Sequence, residues 1–115
     1  KIIAVDFDGT LNLENVFPDT GEPNIQLISR LIKLRNKINV KLILNTCRSG
    51  ARLDEAVAFC KKFGLEFDAI NENLPEVIEV FKGRDTRKIV ASLYIDDRSI
   101  TPQGFLMEGS EWKSW

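Results

Sequence analysis

An α/β fold with a mostly parallel sheet is what this chain predicts, and three observations predict it. Short β-branched runs alternate with longer amphipathic stretches, each run ends on polar residues, and the order βαβα is kept throughout. Right-handed crossovers then place the strands in one sheet with helices on both sides, a three-layer α/β/α arrangement. At 115 residues the chain fits one domain, 1–115, with a single core.

Ile2 to Phe7 opens the chain as an apolar run suited to a parallel strand buried on both faces. Leu11 to Glu22, holding Asn, Pro and Gly, reads as an exposed loop or small flap. A first helix follows Pro23, with Ile25, Ile28, Leu31, Ile32, Leu34 and Ile38 as its apolar stripe. Val40 to Leu44 is the second strand. Ala51 to Phe63 is the second helix, with Leu53, Ala56, Val57, Cys60 and Phe63 on one face and Gly64 as the stop. Lys61 and Lys62 fall in its last turn, where the helix dipole favours cations. Leu65 to Ile70 supplies a third strand, Pro75 to Phe81 a short helix, and Ser92 to Ile95 a fourth strand ending at Asp96-Asp97. Beyond that point the pattern weakens, and Gly104 to Met107 reads as an edge strand.

Apolar residues at 43%, charged residues at 29% and a net charge of -1 describe a soluble globular protein. No basic face is advertised, although a local basic patch leaves nucleic-acid partners open. The two cysteines, Cys47 and Cys60, form no CxxC pair, so a reducing compartment is expected. No apolar run approaches a membrane span and no signal-peptide pattern opens the chain, which makes cytoplasmic the expected location, although residue 1 is Lys rather than Met. Histidine is absent, and this excludes more chemistry than any other fact of composition. Ser-His and Cys-His couples and imidazole zinc sites are impossible, so acid–base work falls to carboxylates, Lys or Tyr94.

The chemistry-bearing residues gather at strand ends, where open α/β sheets bind ligands. Asp6 and Asp8 follow the first strand, Thr46 the second, and Asp96 and Asp97 the fourth. Asp6 and Asp8 are two residues apart, so an extended chain aims both into one crevice before Gly9 lets the backbone turn away. Carboxylates crowded at one end repel one another unless a cation joins them, and magnesium, with its preference for oxygen ligands, is the natural candidate. Lys88, shortly before the fourth strand, is placed to neutralise charge on a bound phosphate.

In this order, Asp6-Phe7-Asp8-Gly9-Thr10, Thr46, Lys88 and Asp96-Asp97 resemble the four motifs of the haloacid dehalogenase superfamily of phosphatases. The resemblance spans residues 2 to 98 and rests most on the DxDGT element, since a lone Thr or Lys carries little information. It implies a Rossmann-like core and a magnesium-dependent phosphomonoesterase. It further implies that Asp6 is the nucleophile, taking the phosphoryl group as an aspartyl-phosphate, and that Asp8 is the general acid–base. Thr46 and Lys88 would hold phosphoryl oxygens. Asp6, the backbone carbonyl of Asp8, and Asp96 would bind Mg2+, with Asp97 an outer or water-mediated ligand. Neither interval between motifs is long enough for a cap domain, as in the capless branch, whose open site admits bulky substrates or borrows a neighbouring subunit of a homo-oligomer as its lid.

Other readings compete. Asp6 and Asp8 alone would fit a solvated turn, Thr46 a helix cap, and Lys88 the surface charge it shares with Lys82, Arg84 and Arg87. Arg48 and Ser49 either touch substrate or merely precede the helix. Cys60 falls on the apolar helix face and reads as core. Cys47 invites comparison with tyrosine-phosphatase loops, but Arg52 lies one residue too close and the glycine pattern is missing. A signalling receiver uses similar groups, yet places its phosphorylated Asp on a later strand. A phosphate- or metal-binding module without turnover is a third reading. Among substrates, the near-neutral charge favours a small phosphorylated metabolite over a polymer-end phosphate. The flap, residues 71–87 and Trp112 and Trp115 remain to shape a pocket or a subunit contact.

Overall fold

The structure, a computed structural model, describes residues 1–14, 16–37 and 39–107. Ile38, Trp112 and Trp115, which figure in the sequence reading, lie outside the described residues. The elements run β1 (Ile2–Val5), α1 (Ile25–Arg35), β2 (Lys41–Leu44), α2 (Gly50–Lys62), β3 (Ala69–Ile70), α3 (Pro75–Val80), β4 (Leu93–Ile95) and α4 (Pro102–Leu106). The strands form one four-stranded sheet in the order β3-β2-β1-β4, and every pairing is parallel. This is a small Rossmann-like α/β fold, as the alternation of runs predicted.

Side chains alternate across the sheet, and the alternation sorts the core into two layers. Ile3 and Val5 of β1 and Leu42 and Leu44 of β2 point to one face, where they meet Ile28 and Leu31 of α1 and Ala56 and Cys60 of α2. Ala4 and Ile43 point to the other, against Leu74, Ala69 and Ile89, with Val77 of α3 packed alongside. Burial pushes the Cys60 thiol up to about 12, the behaviour of an inert core cysteine.

Chirality explains which helix covers which face. The steps β1 to β2 and β2 to β3 go in one direction, so right-handed crossovers put α1 and α2 on the same side. The return from β3 to β4 runs back past β2 and β1, which sends α3 to the opposite side. Connections therefore leave β1 one way and reach β4 the other. The carboxyl ends of β1 and β4 flank the switch point of the sheet, where such folds open a crevice.

Two segments differ from the sequence reading. Residues 104–107 form no edge strand; Pro102–Leu106 is a short helix, begun by Thr101, whose Oγ1 accepts from the Gly104 amide at 3.0 Å. Thr-Pro at a helix start is the signal that outweighed the apolar run. The segment Leu11 to Glu22 is not all exposed, because Leu11 and Asn12 are fully buried. The Asn12 amide donates to the Phe7 carbonyl at 2.9 Å, and the Asn24 amide to that of Leu11 at 2.8 Å, so the base of the flap belongs to the core.

β3 is also shorter than its apolar run, and Asp68 shows why. Its carboxylate accepts from the Leu42 amide at 2.8 Å and from Arg35 Nη2 at 3.1 Å, so a side chain replaces a rung of the ladder. Burial alone would raise this carboxyl, but the Leu42 amide and the Arg35 guanidinium outweigh it and hold it below the usual carboxylate range. A depressed carboxyl stabilises the fold above its unfolded value and loses that contribution as pH falls through the folded one. Asp68→Asn is therefore expected to cost about 1 kcal/mol at pH 7 and less near pH 2. Urea unfolding at the two pH values measures this, and an equal cost at both would mean that the charge plays no part.

Among the described residues, no helix is long and apolar enough to cross a membrane.

Candidate functional site

β1 ends at Val5, and the Asp6 amide donates to the Ile95 carbonyl of β4 at 2.9 Å, which fixes the start of the Asp6-Thr10 loop beside Asp96. Gly9 takes a φ of +81°, a conformation that a side chain disfavours, and the chain turns back so that the Thr10 amide reaches the Phe7 carbonyl at 3.1 Å. Thr10 is thereby buried between the two strand ends. Its hydroxyl donates to Asp6 Oδ2 at 3.3 Å and accepts from the Asp97 amide at 3.2 Å.

These contacts bring Asp6, Asp96 and Asp97 together, with one carboxylate oxygen of each within 4.8 Å of the others. The Arg98 amide donates to Asp96 Oδ1 at 2.8 Å and orients that carboxylate. Burial pushes the Asp6 carboxyl up to about 6, and repulsion from Asp96 adds to the shift. The group thus carries negative charge that no side chain in it neutralises. Oxygens bound to one magnesium ion stand about 3 to 4 Å apart, so small shifts of these side chains suffice to close on such an ion. Three hard oxygen donors at a shared point fit a divalent cation.

A cavity of about 310 Å³ opens above the cluster, lined by Asp6, Asp8, Phe17, Thr46, Cys47, Arg48, Asp96, Asp97 and Arg98. Five of the six sequence-predicted site residues therefore share one wall: Asp6, Asp8, Thr46, Asp96 and Asp97. Lys88 does not line it. Its side chain is exposed, with Nζ 5.5 Å from the centre of the Tyr94 ring. Arg98 brings a second positive side chain to the wall, one that sequence reasoning missed.

Asn71 sets the loop after β2, and only its location near the pocket was anticipated. Held at a φ of +55°, which Asn tolerates better than most residues, it accepts from the Thr46 amide at 2.8 Å and donates to the Arg48 carbonyl at 3.1 Å. Thr46 Oγ1 accepts from the Arg48 amide at 3.2 Å, so Thr46 shapes the loop rather than capping α2, whose N-cap is Ser49. Arg48 is almost fully buried and binds both oxygens of Asp8, at 2.8 Å through Nε and 2.7 Å through Nη2. The ion pair explains how Asp8 is held, and Asp8 in turn holds the Arg48 guanidinium above its usual value.

Among solved structures, the chain matches one described as a conserved protein coded by locus from Bacteroides thetaiotaomicron. The identity is 41%, the match covers 86% of this chain and 77% of that one, and the TM-score is 0.71. The chain belongs to that protein's family. No family model and no curated protein matches the chain. The words that describe the relative state no activity.

Proposed function

We propose that the protein is a magnesium-dependent phosphomonoester hydrolase of the haloacid dehalogenase type, acting on a small phosphorylated metabolite. The observation that carries the reading is the convergence of Asp6, Asp96 and Asp97 beside Asp8 and Thr46 at the switch point of the sheet. A chain without histidine has few other ways to assemble a proton carrier and a nucleophile in one cavity. The cavity's size, at the lower end of ligand pockets, suits a phosphoryl group with a compact leaving group.

A magnesium ion held by Asp6 and Asp96, with Asp97 beside them and the Asp8 carbonyl as a further oxygen donor, would supply charge neutralisation to the phosphoryl group. In the first step an Asp6 carboxylate oxygen attacks phosphorus, the bond from phosphorus to the ester oxygen breaks, and Asp8 gives that oxygen its proton. In the second, Asp8 takes a proton from water as the water oxygen attacks phosphorus, and the bond to Asp6 breaks to release phosphate. Thr46 offers a hydroxyl to the phosphoryl oxygens. Arg98 on the wall, and Lys88 once its ammonium swings from the Tyr94 ring, would supply positive charge.

Incubation with sugar phosphates, nucleotides, p-nitrophenyl phosphate and 5′-phosphorylated oligonucleotides, each with magnesium or with EDTA, tests the reading. Metal-dependent phosphate release from the small esters is expected. Release from the oligonucleotides alone would move the substrate class to polymer ends, and magnesium binding without turnover on any of them would leave only a binding module.

A further inference from the structure

Arg48 lines the cavity, and a guanidinium at that place would ordinarily be assigned to phosphate. Its hydrogen bonds argue otherwise. An arginine has about five N–H donors, and the five of Arg48 are all spent: Nε and Nη2 on Asp8, Nη2 also on the Asp19 carbonyl at 2.7 Å, and Nη1 on the carbonyls of Pro18 at 3.0 Å and Arg52 at 3.5 Å. Two aromatic rings also pack near the guanidinium, with Cζ 4.9 Å from the centre of the Phe7 ring and 5.1 Å from that of Phe17. No donor remains for a ligand.

We propose that Arg48 is a positioning residue, which fixes the Asp8 carboxylate and the flap segment Phe17–Asp19 as one rigid unit and does not bind the phosphoryl group. The inference rests on the phosphatase reading above, because it assigns Arg48 its effect through Asp8. A bidentate pair sets the plane of a carboxylate and leaves it further lone pairs, and Asp8 lines the cavity. The same guanidinium holds the carbonyls of Pro18 and Asp19, so the rim beside Asp8 is anchored to the group that moves the proton. Phe17, the one aromatic residue of the flap and exposed at 60%, is thereby given a seat beside the guanidinium.

Kinetics and side-chain exchange test this together. In Arg48→Gln, kcat is expected to fall about 100-fold with KM changed less than about 3-fold, as for loss of oriented acid–base help. Arg48→Lys should recover about 10-fold of that loss, because an ammonium still holds one Asp8 oxygen. Adding Arg48→Gln to Asp8→Asn should cost less than about 3-fold more than Asp8→Asn alone. A rise in KM at unchanged kcat would mean that Arg48 binds phosphate directly, and two losses that multiply would mean that it does not act through Asp8; either overturns the proposal. Should Arg48→Gln fail to fold, hydrogen exchange of the Arg48 Nε–H in the wild type and in Asp8→Asn decides. Strong protection lost with the Asp8 charge is expected, and fast exchange in an active wild type rejects the clamp. A wild type that hydrolyses none of the esters fails the phosphatase reading instead, and the exchange measurement distinguishes the two failures.

Discussion

Asp6→Asn is expected to abolish phosphate release, by about 10⁴-fold or more. Asparagine has nearly the shape of aspartate and can still accept from the Thr10 hydroxyl, so the loop that carries it keeps its main contact. What it lacks is an anionic oxygen able to form a bond to phosphorus. It also removes one of the three carboxylates gathered at the strand ends. The fold should not suffer. The Asp6 carboxyl is pushed up to about 6 by burial and by Asp96, so near neutral pH its ionised form opposes folding in the metal-free chain. Asp6→Asn is accordingly expected to melt at the same temperature as the wild type or slightly higher in EDTA at pH 7.5. Mass spectrometry adds a positive test, because wild type quenched in acid during turnover should carry one phosphoryl group, and the variant none. Phosphate release by the variant within tenfold of wild type would remove Asp6 from the chemistry.

Much of this arrangement was legible in the sequence, because it depends on local order. Ile2–Val5 and Leu42–Leu44 are continuous apolar runs whose residues alternate between the two core layers, so their assignment as buried parallel strands needed no long-range information. Asp6 and Asp96 follow adjacent strands directly, and parallel pairing of β1 with β4 brings them together. What the sequence concealed depends on contacts across the chain. Arg48 and Asp8 are 40 positions apart, and nothing in the neighbourhood of either names the other. Lys88 has the expected place in the order but lies over Tyr94, because residues outside regular structure are placed by tertiary contacts such as the Asn73 side chain, which accepts from the Val90 amide at 2.7 Å and donates to Asp85 at 2.8 Å. The short helix at Pro102 was hidden by its apolar content, although its capping residue was in plain view.

Removing divalent metal is expected both to stop turnover and to lower the melting temperature, and the second effect should depend on pH. A carboxyl whose folded value is raised contributes stability that is fully present below its unfolded value and is lost as pH rises through the folded one. For Asp6 these are 3.8 and about 6, so the metal-free protein should lose stability between them. The full shift corresponds to roughly 3 kcal/mol, and solvent screening at this half-buried site reduces it to on the order of 1 kcal/mol. A divalent cation reverses the sign, because it favours the ionised carboxylates that repel one another without it. At 100 times its dissociation constant the ion stabilises the fold by about 2.7 kcal/mol, which for a domain of this size raises Tm by about 10 °C. At pH 5 protons compete for Asp6, and the increment should shrink. Asp96→Asn should remove most of it at either pH while leaving the metal-free Tm at pH 7.5 equal or higher, since one repelling charge is gone. Differential scanning calorimetry with magnesium or EDTA at pH 5 and 7.5 measures all of this without reference to substrate. Equal melting temperatures with and without magnesium at both pH values, together with full turnover in EDTA, would show that the three aspartates hold no catalytic metal.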